Sequence, residues 1–136
     1  MSATVSNGED AMRLAWMLAA GVALGSAGAE AATLDDFQVN STRQLVALCS
    51  VTPSDTYHVD AIQFCYGFLS GAYQFHNAVV SHGGIKRLAC PAKVPSREEF
   101  ATYFAQWAKS APPEVMDEPA VEGLARAAAA RWPCPR

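Results

Sequence analysis

The chain has 136 residues, 51% of them hydrophobic and 17% charged, and a formal net charge of −3. This length suits a single domain with a modest core. The charged residues form no basic block of the kind that nucleic-acid binding requires, so we expect no nucleic-acid partner.

The N-terminal segment predicts export. Arg13 precedes an apolar run over residues 14–24, and small residues follow up to an A-x-A site at residues 29–31. This is the layout of a secretory signal peptide, and the run is shorter than the roughly 20 residues that a spanning helix needs. We predict a signal peptide over residues 1–31 and one mature domain over residues 32–136, with no membrane contact after cleavage.

Two details of this segment leave choices open. Glu9 and Asp10 are acidic, which is unusual ahead of an export signal, and this favours Met12 as the true start of translation. A retained N-terminal anchor is the alternative to cleavage, and the short apolar run argues against it.

All four cysteines lie in the predicted mature domain. An even number of cysteines behind a signal peptide is typical of two disulfides formed in an oxidising compartment. Zinc sites usually contain close C-x₂₋₄-C pairs, which this chain lacks, so we expect neither a metal nor a cofactor. The residues concerned are Cys49, Cys65, Cys90 and Cys134.

The first half of the mature chain predicts two helices. The first runs over residues 41–50, where Ser41 and Gln44 have the spacing of a capping box. The second begins at Ser54 or Asp55 and continues to Val80, where glycines can end it with a left-handed cap. Apolar residues at helical spacing form one stripe on each helix. These are Leu45, Leu48 and Cys49, then Ile62, Cys65, Leu69, Ala72, Phe75 and Val79.

The second half predicts two more helices. Ser96 and Glu99 form another capping box at the start of the third helix, which has an aromatic face and ends before Pro112. The fourth begins near Asp117, with Pro119 tolerated in its first turn. Its predicted inner face consists of Val121, Leu124, Ala125 and Ala128. The sequence therefore predicts an all-α fold, a small up-down bundle of about four helices held by two disulfides.

This topology favours one of the three possible disulfide pairings. Helices joined by short turns pack antiparallel, so the end of the first helix lies beside the early part of the second. That arrangement joins Cys49 to Cys65 and Cys90 to Cys134. The other two pairings require helix ends that an up-down bundle keeps apart.

The stretch Phe64 to His76, FCYGFLSGAYQFH, carries a thiol and an imidazole on one helix. Cys65 and His76 are 11 residues apart, or ~16 Å along the axis, whereas a nucleophile and its base must come within about 3 Å. No other catalytic motif occurs, so we predict that the protein is not an enzyme.

The same stretch carries a G-x-x-x-G pair, Gly67 and Gly71. Glycine inside a helix costs up to about 1 kcal/mol, so such a pair usually has a packing reason. We predict close helix packing at this pair. The partner is either another helix of this chain or a second copy of the protein.

Several motifs together resemble a known family. They are the first-helix ending LVALCS, the piece C-Y-G-F-L-S-G-A-Y, a C-P before the third helix, a P-P-E break and a terminal W-P-C. The chain resembles the Rap/Tai family of periplasmic immunity proteins over about residues 42–134. The matching positions are Cys49, Cys65, Gly67, Gly71, Cys90, Pro91, Pro133 and Cys134, all of which the resemblance implies to be structural.

The resemblance implies a periplasmic, disulfide-bonded helical protein, often a homodimer, that acts by binding. Its implied partner is a peptidoglycan-cleaving amidase effector of type VI secretion, whose active site it occludes. Our candidate contact is the loop that follows the second helix, and ordinary solvated loop structure is the alternative. The candidate residues are Ser81, His82, Gly83, Gly84, Lys86 and Arg87.

Two other functions remain as alternatives. The protein could be a periplasmic acid-stress chaperone, for which the aromatic face of the third helix would be the candidate apolar surface. It could also be a repurposed family member that has no toxin partner.

A second candidate contact is an acidic patch formed by Glu114, Asp117 and Glu118. The alternative is that these carboxylates only stabilise the start of the fourth helix, because the helix dipole favours negative charge there.

Overall fold

The computed structural model describes residues 31–136. The predicted signal peptide, the start at Met12 and the anchor alternative therefore lie outside the described residues. The described chain contains no β-strand, and the predicted all-α bundle of four helices is confirmed. The α-helices are α1 (Thr42–Cys49), α2 (His58–Ser81), α3 (Arg97–Ala108) and α4 (Ala120–Arg131), and two 3-10 helices, Leu34–Gln38 and Pro113–Asp117, precede α1 and α4.

The short helix α1 lies at the centre of the bundle, where it contacts the other three helices and both 3-10 helices. Leu45, Leu48 and Cys49 form its buried face, as their spacing predicts. Residues at i, i+3 and i+4 share one side of a helix, so eight residues suffice to present a continuous apolar stripe.

Both predicted capping boxes are present. In α1 the N–H of Gln44 donates to Ser41 Oγ at 3.3 Å, and the N–H of Ser41 donates to Gln44 Oε1 at 3.2 Å. In α3 the N–H of Glu99 donates to Ser96 Oγ at 3.1 Å, and Glu99 Oε2 accepts the N–H of Ser96 at 2.7 Å. These bonds satisfy N–H groups that have no partner within the helix.

The start of α2 differs from the prediction. The helix begins at His58, three residues after Asp55, and its N-cap residue Tyr57 makes no side-chain cap. The Asp55 carboxylate instead accepts hydrogen bonds from the N–H and the hydroxyl of Thr52. Because Asp55 closes a turn on its N-terminal side, it is not available to cap the helix.

The buried stripe of α2 is shorter than its apolar pattern. Cys65 and Leu69 are buried, but Phe75, which belongs to the same apolar stripe of the sequence, is 72% exposed. The buried residues of α2 are Ala61, Cys65 and Leu69, which all lie in its first half, and the bridge from Cys65 to Cys49 joins that half to α1. Periodicity alone does not report how far along a helix the buried stripe extends.

The inner face of α4 also differs from the prediction. The α-helix begins at Ala120 rather than near Asp117, since residues 113–117 form a 3-10 helix. The buried residues are Ala120, Gly123, Leu124 and Ala127. Val121 is 53% exposed, and its predicted inward position is wrong.

A glycine allows α4 to pack closely on α1. Thr42 is fully buried, and its N–H and hydroxyl both donate to the carbonyl of Glu118, at 2.8 and 3.2 Å. A Cβ at Gly123 would lie 2.8 Å from Thr42 Cβ and closer still to its hydroxyl and methyl groups. The sequence analysis did not single out Gly123 as a packing residue.

The predicted disulfide pairing is confirmed. Cys49 pairs with Cys65 across α1 and α2, with Cα atoms 5.3 Å apart. Cys90 pairs with Cys134, with Cα atoms 4.9 Å apart, and joins the loop after α2 to the chain end. The second bridge closes 44 residues of sequence, so it fixes the loop relative to α4.

Candidate partner-binding site

The first residues of the predicted contact loop terminate α2. Ser81 Oγ donates to the carbonyl of Ala78 at 2.9 Å, and the ring of His82 contacts the same carbonyl at 2.7 Å. Gly83 has φ +74°, the left-handed conformation that favours glycine, as the predicted cap requires. A Cβ at Gly84 would come within 2.8 Å of a Val79 methyl group. These residues therefore shape the end of the helix.

The loop then folds back along α2. The guanidinium of Arg87 donates to Asn77 Oδ1 at 3.0 Å. The N–H of Leu88 donates to His76 Nε2 at 3.3 Å. The loop thus runs beside the last turns of α2, a position that the sequence did not predict.

Lys86 is the remaining predicted contact residue. Its side chain is exposed, as are all residues from 81 to 88. The predicted contact residues therefore have three different roles. Residues 81–84 end α2, Arg87 is hydrogen-bonded to Asn77, and Lys86 is an exposed cation.

A second anchor holds the far end of the loop. Beside the Cys90–Cys134 bridge, the N–H of Cys90 donates to the carbonyl of Trp132 at 2.8 Å. The Trp132 ring packs edge-on against Phe100, with ring centroids 5.3 Å apart, and lies 6.0 Å from Tyr103. The loop is therefore fixed to α2 at one end and to α3 and the end of α4 at the other.

This arrangement encloses a groove of about 840 Å³ between the second half of α2, the loop and α4. The buried side chains of Leu69 and Leu124 contribute to its lining. Its volume is in the range of small-molecule and cofactor sites. Six large hydrophobic residues that the structure leaves exposed also line it. They are Tyr73, Phe75, Ile85, Leu88, Val94 and Val121.

The charge of the groove has one sign. Arg87 and Arg97 both contribute to its lining, and no Asp or Glu among residues 31–136 does. Arg97 also lies over the ring of Tyr66, with 5.4 Å between its Cζ and the ring centroid. Neither arginine forms an ion pair within the described residues, whose two ion pairs are Arg43–Asp117 and Arg126–Glu118.

The acidic patch is engaged with its own chain. Arg126 binds Glu118 through two hydrogen bonds of 2.7 and 2.9 Å, and these bonds raise the pKa of Arg126 above its ordinary value. Asp117 pairs with Arg43 at 3.0 Å on the surface. Two of the three acidic residues, Asp117 and Glu118, are therefore in ion pairs with arginines of the same chain. The third, Glu114, is exposed.

The start of α3 holds the other shifted group. A hydrogen bond to its own backbone, followed by one with the side chain of Ser96, lowers the pKa of Glu98 below its ordinary value. The carboxylate sits where the helix N-terminus favours negative charge.

The G-x-x-x-G pair faces away from the bundle. Gly67 and Gly71 are exposed, and a Cβ at either would meet no atom within 4 Å. The sequence analysis left two possible packing partners for this pair, a helix of the same chain or a second copy. Within residues 31–136, no helix of the same chain packs on this face.

The cysteine and possible metal-ligand side chains of the described residues were the other candidates for chemistry. All four cysteines are in disulfides, so Cys65 is not a thiol. Residues 31–136 bring together no three His, Cys, Asp or Glu side chains in a position to hold a metal ion. In the same range, no helix combines the length and apolar character needed to cross a membrane.

Comparison with known proteins gives one match. The family model of the Rap1a immunity proteins matches residues 41–134, which include all four helices and both disulfides. No curated protein and no solved structure matches the chain. Since the match covers more than half of the sequence, the chain belongs to the family of Rap1a immunity proteins.

Proposed function

We propose that the protein is a periplasmic inhibitor that binds a peptidoglycan-cleaving type VI secretion amidase and occludes its active site. The observation that carries this proposal is the family match over residues 41–134, because the family suggests immunity against a type VI effector. Two disulfides fit an exported protein. On this proposal the chain acts by binding and has no catalytic activity of its own.

The surface around the loop after α2 supports this proposal. The loop is exposed from residue 81 to residue 88, yet it is anchored to α2 and to Trp132. A surface held in place before binding loses less conformational entropy when a partner docks. We therefore place the effector contact at this loop and its surroundings.

The deciding experiment uses mature, oxidised protein and a panel of purified type VI amidase effectors. Binding would be measured by calorimetry, and peptidoglycan cleavage would be followed in parallel. We expect tight binding to at least one amidase, with loss of its cleavage activity. Absence of binding to every amidase would leave a repurposed family member as the better description.

We also propose that the protein forms a homodimer through the exposed face around Gly67 and Gly71. The support is that this face has no partner in the same chain, because a Cβ added at either glycine would meet no atom within 4 Å. Glycine inside a helix costs free energy unless a close approach offsets it.

The acid-stress chaperone alternative has less support. Its candidate surface is the aromatic face of α3, where Phe104 is fully buried. The other three aromatic residues of this face, Phe100, Tyr103 and Trp107, are partly buried and pack against the hydrophobic core. The aromatic face therefore serves as core, and its exposure would require unfolding.

A further inference from the structure

The exposed apolar surface of this protein is concentrated in one place. Among residues 31–136, nine large hydrophobic side chains are exposed, and six of them line the groove between α2 and α4. Contiguous apolar surface of this kind, with polar residues beside it, marks sites where another molecule binds. Among residues 31–136, the groove is therefore the part of the surface at which we most expect another molecule to bind.

The shape of the site is concave. The predicted contact loop contributes Ile85, Arg87 and Leu88 to the lining of the groove, whereas Lys86 does not line it. The hydrogen bonds from Arg87 and Leu88 to α2 keep this part of the loop against the helix. A loop held in this way forms one side of a cleft and suits the reception of a protruding segment.

Charge indicates the chemistry of that segment. Arg87 and Arg97 line the groove, and no Asp or Glu among residues 31–136 lines it. Their guanidinium groups lie beside residues outside the lining, since that of Arg87 donates to Asn77 and that of Arg97 lies over Tyr66. Glu98 follows Arg97 in the chain, but it does not line the groove and lies at the surface. Cations beside an apolar surface attract carboxylates more strongly than they would in bulk water.

Charge also argues against a second copy as the occupant. In a symmetric dimer the same patch meets itself, so Arg87 and Arg97 of both copies would lie in one interface. Bringing four like charges together without carboxylates between them is unfavourable. An effector segment with apolar and acidic residues satisfies both properties of the groove.

We propose that the groove between α2 and α4 receives a protruding effector segment that carries apolar residues and at least one carboxylate. This inference rests on the proposed function and adds the location and the chemistry of the contact. It makes the loop after α2 one side of the effector site, with Arg87 and Arg97 as the groups that bind the carboxylate.

The test compares two groove variants with one matched control, Lys93→Glu, and with Lys86→Glu, which probes the exposed face of the loop. Arg97→Glu reverses one groove charge, and because it occupies the first residue of α3, a carboxylate is compatible with the helix dipole there. Val121→Gln replaces an exposed apolar residue of the groove. Lys86→Glu and Lys93→Glu make the same charge reversal at exposed positions outside the groove.

The probes are the purified amidases of the binding panel, each measured by calorimetry against wild type and the four variants. We expect both groove variants to weaken binding by about tenfold or more, since they affect contacts at the centre of the interface. The Lys93→Glu control stays within about threefold of wild type, as is usual for a charge at the rim. Circular dichroism of each variant checks that the fold is retained.

The outcomes separate this inference from the function on which it rests. Wild-type binding with unchanged affinity of both groove variants overturns the groove while the amidase inhibitor stands. Loss of binding in Lys86→Glu alone also overturns it, in favour of a contact through the exposed face of the loop. Absence of wild-type binding to every amidase overturns both. A dimer that dissociates in Val121→Gln assigns the groove to a second copy instead.

Discussion

Gly123 sets how closely α4 approaches α1. The carbonyl of Glu118 accepts two hydrogen bonds from Thr42, so the two helices meet at a fixed distance. No room remains beside Thr42 for a side chain at residue 123. Gly67 and Gly71 are the contrasting case, since their neighbourhoods within the chain are open.

Gly123→Ala should lower the free energy of unfolding by about 1–3 kcal/mol, because the added methyl group overpacks a buried contact. Urea unfolding monitored by circular dichroism measures the change. Gly67→Ala is the control, and in dilute protein it should be neutral or stabilising by up to about 1 kcal/mol through helix propensity. Equal effects of the two substitutions would contradict the assigned packing.

Ser96→Ala should raise the pKa of Glu98 toward its ordinary value and destabilise the start of α3. The hydroxyl of Ser96 is the second cause of the lowered pKa, after the backbone hydrogen bond of Glu98 itself. A carboxyl group with a lowered pKa stabilises the fold above its unfolded-state pKa, and this stabilisation is lost as pH falls through the folded-state pKa.

Carbon-detected NMR titration of the Glu98 carboxyl group measures that change. Loss of the cap itself should cost about 1 kcal/mol at neutral pH. Glu98→Gln is the control, because it leaves the bonds between Ser96 and Glu99 in place. An unchanged pKa in Ser96→Ala would mean that the backbone alone holds Glu98 in its ionised form.

At the scale of elements, the loop after α2 depends on contacts far apart in the sequence. The Cys90–Cys134 bridge and the bond from Cys90 to Trp132 join it to the chain end. Trp132 is in turn held by the aromatic side chains of α3. The groove, which α2, α3, α4 and the loop all line, therefore depends on the Cys90–Cys134 disulfide and on the contacts of Trp132 for its shape.

Replacing both Cys90 and Cys134 by alanine should open the loop without unfolding the α1 core. We expect a loss of about 2–4 kcal/mol in stability and faster amide hydrogen exchange at Leu88 and Cys90. Hydrogen exchange followed by NMR measures both regions at once. Equal acceleration in α1 would show that the bridge supports the whole fold and not the loop in particular.

At the scale of the whole molecule, the two faces of α2 have different roles. Cys65 and Leu69 pack into the bundle, while Gly67 and Gly71 lie on the opposite, exposed side. The second half of the helix contributes to the groove. One long helix thus supplies the core, a side of the groove and the proposed dimer face.

The dimer proposal predicts a concentration-dependent change in sedimentation. Gly71→Leu should convert the dimer to a monomer, because a large side chain would prevent a second backbone from approaching. The monomer should remain folded, since the added Cβ meets nothing within 4 Å in the same chain. A wild-type protein that sediments as a monomer at every concentration tested would exclude the dimer.

The sequence by itself determined the local elements and the covalent frame. Capping boxes at Ser41 and Ser96 act within four residues, and helical periodicity acts within two turns, so both are visible in one segment. The pairing of Cys49 with Cys65 and of Cys90 with Cys134 followed from antiparallel topology. The motifs of the family were also local, and they matched the family found by comparison.

Only the tertiary structure decided which faces are covered. The spacing of Phe75 and Val121 is that of core residues, yet both are exposed. Val121 lies beside the buried Ala120, so the neighbours of each helix face decide which residues of an apolar stripe are covered. The role of Gly123 depends on Thr42, which lies 81 residues earlier in the chain. Burial depends on the length and position of partner helices, and these are properties of the assembled bundle that no single segment encodes.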